Sequence, residues 1–307
     1  MLHPLARRGV QVTLGTLAAT GGCISVAHCE GGGDAAAALE KKKKKKKKTF
    51  SDAQKWCAEA LGTGMIVGGG CGTVCAMRYA AHPIGPLAIG AAFGGAVALA
   101  VYATRDISGA HLNPAITAAV VSQGGMSAAD ALPYVGAQMA GATAAAGINY
   151  AVYAKGIAAL EAKEGIVRGA AGSGASFSGA FGMIPTAALV RTPGALLVET
   201  GATAALAFLV FAMTDEESSV PDGAAPALIG LTVAGLATQY GAVTGAGMNP
   251  ARDLGPRLVT ALTGWGAAAL SSGWWVYTLG PVVGACAGGA AYTALSKAQD
   301  ESQQAEQ

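Results

Sequence analysis

The sequence predicts an all-α membrane protein of six transmembrane helices plus two half-helices, built as an inverted repeat. Three observations carry that expectation. Charge is scarce: only 12% of the 307 residues are charged while 52% are hydrophobic, and a soluble domain carries about 25% charged residues. The charges are also clustered, leaving uncharged or nearly uncharged windows at 56–77, 83–104, 132–154, 192–214, 223–251 and 258–296. Each is long enough to cross a bilayer, because at about 1.5 Å rise per residue about 20 apolar residues cover the roughly 30 Å hydrocarbon core. Finally, the second half of the chain repeats landmarks of the first in the same order.

From the N-terminus, residues 1–55 read as a tail ahead of the first window. Residues 1–29 hold Arg7 and Arg8, no acid, and a weakly apolar stretch from Gly9 to Ala27. That composition fits either a mitochondrial or plastid targeting segment or a plain tail. The run from Lys41 to Lys48 is either simply solvated or drawn to anionic lipid. By the positive-inside rule it puts the N-terminus in the cytoplasm, whether the membrane is the plasma membrane or that of an organelle. Because eight of the twenty basic residues lie in this one run, no nucleic-acid surface is expected. Cys57, Cys71, Cys75 and Cys286 fall inside the windows without a C-x-x-C pair. They read as small packing residues, and no disulfide framework, metal site or cofactor is expected.

The repeat organises the rest. Glu59 is followed four residues on by Thr63, and Glu199 likewise by Thr203. Ser108-Gly-Ala-His-Leu-Asn113-Pro114-Ala115 is answered in the second half by Thr244-Gly-Ala-Gly-Met-Asn249-Pro250-Ala251. Tyr134-Val-Gly-Ala-Gln-Met-Ala-Gly-Ala142 is answered in turn by Tyr277-Thr-Leu-Gly-Pro-Val-Val-Gly-Ala285. Three landmarks in one order mean a duplicated unit: repeat one at 56–154, a connector at 155–193, repeat two at 194–296, and a C-terminal tail at 297–307. With three spans per unit, the second unit starts on the opposite side of the membrane, so the halves are inverted.

Asparagine is a good helix N-cap and proline suits the first helical position, so each Asn-Pro-Ala starts a helix. Asn113 follows Arg105 by eight residues, too soon for a full crossing, so half-helices that dip into the protein are expected. Backbone that is not helical is tolerated at membrane depth where it lines a water-filled cavity. Inversion brings the two half-helix N-termini together at the midplane, each with roughly half a positive elementary charge. Asn113 and Asn249 would then aim amide N–H groups at a passing solute.

With these motifs, residues 56–296 resemble the aquaporin (major intrinsic protein) family. Gly-Met-Asn-Pro-Ala-Arg-Asp253-Leu-Gly-Pro-Arg257 is similar to the aquaglyceroporin form of the second motif. The resemblance implies a right-handed bundle of six tilted helices plus two half-helices, one pore per subunit, and a homotetramer that passes small neutral solutes through the lipid bilayer. It implies that carbonyls of Gly109, Ala110 and His111, and of Gly245, Ala246 and Gly247, form an acceptor ladder. Glu59 and Glu199 would each brace one pore loop, as a buried carboxylate needs donors to offset its desolvation. The selectivity filter falls on Phe93, Ala237, Ala246 and Arg252, with the guanidinium offering donors to an oxygen while repelling cations.

The chain departs from both branches of that family. Ala237 stands where water-selective members usually place histidine, and Ala246 offers a methyl group where glycerol facilitators have a second aromatic. Asp253 and Arg257 match the glycerol branch, whereas Tyr277 fits the water branch better. The composite predicts a broad pore for glycerol, urea and water. A mainly water-conducting channel is the alternative. A coupled secondary transporter can also use inverted repeats, but with Glu59 and Glu199 assigned to structure no carboxylate is placed to relay a proton. An enzyme is not expected, because the motifs bring no nucleophile and base together.

Overall fold

The computed structural model describes residues 49–305 apart from 222, 271 and 272. The expectations for the targeting stretch and the lysine run lie outside the described residues. Besides short 3-10 and π turns, the described residues form eight α-helical elements: α1 (Asp52–Tyr79), α2 (Pro86–Ser108), α3 (Pro114–Ser122), α4 (Ala128–Glu164), α5 (Thr192–Thr214), α6 (Ala225–Thr244), α7 (Pro250–Thr260) and α8 (Val276–Ala305). Six are long and two short, and the fold is all-α. Of the long six, α1, α2, α5, α6 and α8 are apolar enough to be recognised as spans by length and composition. The 37-residue α4 is more than long enough, but it carries Gln138 and Asn149 among small residues, which lowers its apolarity.

Local chemistry sets the helix ends. Ser51 and Gln54 cap α1 reciprocally, the Gln54 N–H donating to Ser51 Oγ at 3.3 Å and the Ser51 N–H to Gln54 Oε1 at 2.9 Å, so two otherwise orphaned donors are satisfied. α2 and α6 each end on a glycine in the left-handed region, Gly109 (φ 87°) and Gly245 (φ 90°), where a residue without Cβ is unstrained. α3 has only 9 residues, about 14 Å of helix, which is half a bilayer core.

Three boundaries differ from the sequence reading. The third span does not stop at residue 154: α4 runs on to Glu164, because Ala, Leu, Glu and Lys in that stretch are good helix formers. The connector as a coil is therefore shorter than 155–193. The window 258–296 is two elements, since α7 gives way after Thr260 to a kinked π turn (Ala261–Trp265) and a 3-10 turn (Gly266–Leu270), with Gly264 at φ 111° and Gly266 at φ 52°, before α8 begins. Charge counting cannot see such a break. α8 also continues through Ala305, into the stretch expected to be tail.

Packing follows the repeat. Gly141 of α4 lies against the Ala60 carbonyl of α1, and Gly284 of α8 lies in the matching way against the Thr200 carbonyl of α5. Gly94 and Gly230 stand at the same offset as Asn113 and Asn249. They face each other across α2 and α6, each blocking any Cβ on the other with its carbonyl. Equivalent positions meet each other only on a two-fold axis, so a pseudo-two-fold passes between these glycines. Outward faces carry exposed Leu61, Leu87, Leu99, Leu132, Leu197 and Leu231, a covering suited to lipid or to another subunit rather than to water.

Candidate functional site

The pseudo-two-fold also passes between the two Asn-Pro-Ala loops. The Asn113 Nδ2 donates to the Met248 carbonyl at 2.9 Å, and the Asn249 Nδ2 donates to the Leu112 carbonyl at 2.8 Å. Each side chain thus ties down the opposite loop. Asn113 Oδ1 accepts the Ala115 N–H (2.9 Å), and Asn249 Oδ1 accepts those of Ala251 (3.0 Å) and Arg252 (3.3 Å). With the oxygen fixed as helix cap and one amide hydrogen on a carbonyl, each amide keeps a second N–H. Both asparagines line a narrow cavity of about 80 Å³.

The loops reach that geometry through unusual backbone. Ala110, Leu112, Ala246 and Met248 all have φ between 48° and 51°, a region that costs a non-glycine residue of order 1–3 kcal/mol. Buried carboxylates hold them there. Glu59 is fully buried and accepts the His111 N–H (3.0 Å) and Leu112 N–H (2.7 Å), the Ser108 hydroxyl (2.6 Å) and the Gln138 amide (2.8 Å). Glu199, also fully buried, accepts the Gly247 N–H (2.9 Å) and Met248 N–H (2.8 Å). Charge-assisted bonds of this kind are worth about 1.5–3 kcal/mol each, enough to outweigh the strain. Loop ends are pinned symmetrically as well: the Tyr134 hydroxyl donates to the Ser108 carbonyl (2.9 Å) and the Tyr277 hydroxyl to the Thr244 carbonyl (2.7 Å).

Of the ladder residues, Ala110 and His111 line the narrow cavity, Gly247 does so from the other loop, Gly245 lines a wider cavity of about 360 Å³, and Gly109 lines neither. The His111 ring rests against Tyr134 with centroids 5.2 Å apart, and its Nδ1 pairs with the Thr117 hydroxyl at 3.2 Å.

Phe93, Ala237, Ala246 and Arg252 line both cavities, and among the described residues they are the only ones that do. They therefore ring the constriction between the wide and narrow spaces. Phe93 comes from α2, Ala237 from α6, Ala246 from the second loop and Arg252 from the first turn of α7. The Arg252 guanidinium lies 4.7 Å from the Phe93 ring centroid, and its buried Nη1 has no hydrogen-bond partner. An unpartnered buried donor costs about 1–3 kcal/mol.

Asp253 and Arg257 stand behind this ring, not in it. They form a buried ion pair of 2.7 Å with 0% and 1% side-chain exposure. Asp253 Oδ1 accepts the Met183 N–H (2.6 Å), while Arg257 donates to the carbonyls of Met183 and Ala269. The pair so anchors the connector, whose Met183 packs against Gly245 and lines the wide cavity. Sequence reasoning marks these two residues only as branch markers and does not single out Met183. It also misses Gln138, which bridges Glu59 and the Thr117 hydroxyl (3.0 Å). The tyrosine pair is signalled, since Tyr134 and Tyr277 head the third repeated landmark.

Six long helices, two half-helices meeting on a pseudo-two-fold and a constriction between two cavities define an integral membrane protein of the channel type. A sequence model of the major intrinsic protein family matches residues 45–292. The chain is 40% identical over 241 residues to a propanediol uptake facilitator of Salmonella typhimurium, covering 76% of this chain and 90% of that one. It is 41% identical over 236 residues to a glycerol uptake facilitator of Haemophilus influenzae, covering 75% and 89%. Its fold matches the solved structure of an aquaglyceroporin from Plasmodium falciparum with a TM-score of 0.68 at 22% identity, over 79% of this chain and 96% of that one. The chain belongs to the major intrinsic protein family.

Proposed function

We propose that this protein is a passive channel for small uncharged solutes that carries glycerol, urea and water, excludes ions and protons, and performs no chemistry on its cargo. The observation that carries this reading is the constriction: Phe93, Ala237, Ala246 and Arg252 alone border both cavities among the described residues. Phe93 offers an apolar wall to a carbon backbone, the free Arg252 Nη1 offers a donor to a hydroxyl, and two methyl groups leave the opposite corner open. Diameter and lining groups set selectivity in such pores. Glycerol and propanediol facilitators among the relatives support the same solute class.

Deeper in, the second N–H groups of Asn113 and Asn249 donate to a solute oxygen held between them. A water there accepts from both sides, so its own hydrogens point away toward the loop carbonyls and no hydrogen-bonded wire crosses the midplane. The two helix N-termini add positive potential, and the Arg252 charge repels cations ahead of them. Pro114, Ala115, Pro250 and Ala251 complete the two caps from which those amides project. The apolar outer faces support insertion in lipid, the run from Lys41 to Lys48 supports a cytoplasmic N-terminus with the connector outside, and the family resemblance supports a homotetramer; residues 56–296 form the channel domain in this reading.

Stopped-flow measurements on proteoliposomes test the proposal. Glycerol, urea and water should all cross faster than in empty liposomes, without saturation and without an ion gradient. Ala237→His should suppress glycerol far more than water by restoring bulk at the open corner. Clear osmotic water flux with glycerol and urea no faster than in empty liposomes would leave a water channel instead.

A further inference from the structure

We infer that Gly70, which lines neither cavity, sets the size limit of the constriction from behind by giving Phe93 the room to lie back from the lumen. The inference rests on the filter reading above. Ile66 on α1 lines the narrow cavity, and Gly70 lies one turn further on, on the same helix face. A side chain there would be the next lining residue. Instead the Phe93 ring occupies the place: a Cβ on Gly70 would collide with ring atoms Cδ1 and Cε1 and approach Cγ to 2.8 Å. The ring itself is buried and borders both cavities, so it stands between Gly70 and the lumen.

The surroundings hold Gly70 in this position. α1 loosens into a single π turn at Val67–Cys71, a rare form that often marks functional sites. The Val67 carbonyl in that turn accepts from the Asn149 amide of α4 at 3.2 Å. Ala96 stands 3.2 Å from where a Cβ on Gly69 would lie, so α2 packs on the same turn. Phe93 thus meets a backbone wall on one side and the Arg252 guanidinium over its ring. Repeat two shows the other choice. At the offset that aligns Glu59 with Glu199, Gly70 corresponds to Val210, which lines the narrow cavity itself together with Ile229. A ring pushed off Gly70 can only move toward the space that the solute uses.

Gly70→Ala should therefore narrow the pore, lowering glycerol permeability relative to water roughly fivefold or more, because selectivity follows diameter. Gly70→Ala combined with Phe93→Ala, which removes every ring atom that the methyl would strike, should restore the ratio to that of Phe93→Ala alone. Both are measured by stopped flow in proteoliposomes. An unchanged ratio in Gly70→Ala, or no recovery in the double variant, overturns the inference. Should Gly70→Ala fail to fold, the same clash predicts that adding Phe93→Ala rescues folding, and a double variant that is also unfolded overturns it. Phe93→Ala in the parent separates the two layers. If that change leaves the glycerol-to-water ratio untouched, the filter reading itself falls; if it moves the ratio while Gly70→Ala does not, only the role of Gly70 does.

Discussion

Arg257→Met tests what holds the connector at the wide cavity. The substitution keeps length and apolar bulk but strips the Asp253 carboxylate of its partner at 0% exposure, leaving it only the Met183 N–H. Removing one member of a buried pair costs about 3–5 kcal/mol because the remaining charge is uncompensated. At about 2–4 °C per kcal/mol for a fold of this size, the melting temperature should drop by roughly 6–20 °C. Asp253→Leu should cost a similar amount, since it leaves the guanidinium buried and unpaired. The double variant has no stranded charge. It leaves the Met183 N–H and two carbonyls without partners, but each single variant already orphans part of that set, so removing the stranded charge should make its loss smaller than the sum of the two single losses. Tryptophan fluorescence during heating in detergent reads all four proteins. An Arg257→Met melt within about 2 °C of the parent, or a double variant whose loss equals the sum, would refute the argument that this pair works as a charge-compensated anchor; that margin reflects about 1 kcal/mol.

Arg252→Val should leave neutral solute flux largely intact while proton or cation leak rises under an imposed gradient in liposomes; an unchanged leak removes Arg252 from ion exclusion. Ala246→Cys places a thiol in the ring shared by both cavities, so a mercurial should block most of its water flux and a thiol reductant should restore it. In the parent, Cys71 and Cys75 are buried and none of Cys57, Cys71, Cys75 and Cys286 lines either cavity, so the same dose should leave flux unblocked. A resistant Ala246→Cys channel would place residue 246 away from the constriction.

What is legible in the sequence is what local chemistry or duplication controls. Asn113 and Asn249 declare helix starts because an N-cap is a short-range property, and the repeat of that motif at matched places in the two halves carries the inverted topology. The end of α4 at Glu164 is hidden because charged residues are as good in a helix extending past the membrane as in a loop. Met183 is hidden for another reason. Its partners Asp253 and Arg257 lie far along the chain, and nothing in its neighbourhood signals them. Gly70 carries no side chain to be noticed at all, and only the ring that fills its place gives it a role.

The pseudo-two-fold constrains the backbone far more than the side chains. Glu59 and Glu199, Tyr134 and Tyr277, and the crossed asparagines keep matched bonds because both loops must present an amide at the same depth. The residues at the two ends of the narrow cavity are not matched. At the offset that aligns Asn113 with Asn249, Phe93 corresponds to Ile229, Ala237 to Val101, and Arg252 to Ile116, and all of these line the narrow cavity. One end therefore carries an aromatic, an open corner and a cation where the other carries three aliphatic side chains. In a passive pore the constrictions act in series, and each polar ring demands that a solute shed water to fit it. In the proposed reading a single ring suffices to select, since a second would add its own barrier without discriminating anything the first admits. Symmetry is thus kept where two halves must meet at one point and given up where one filter is enough.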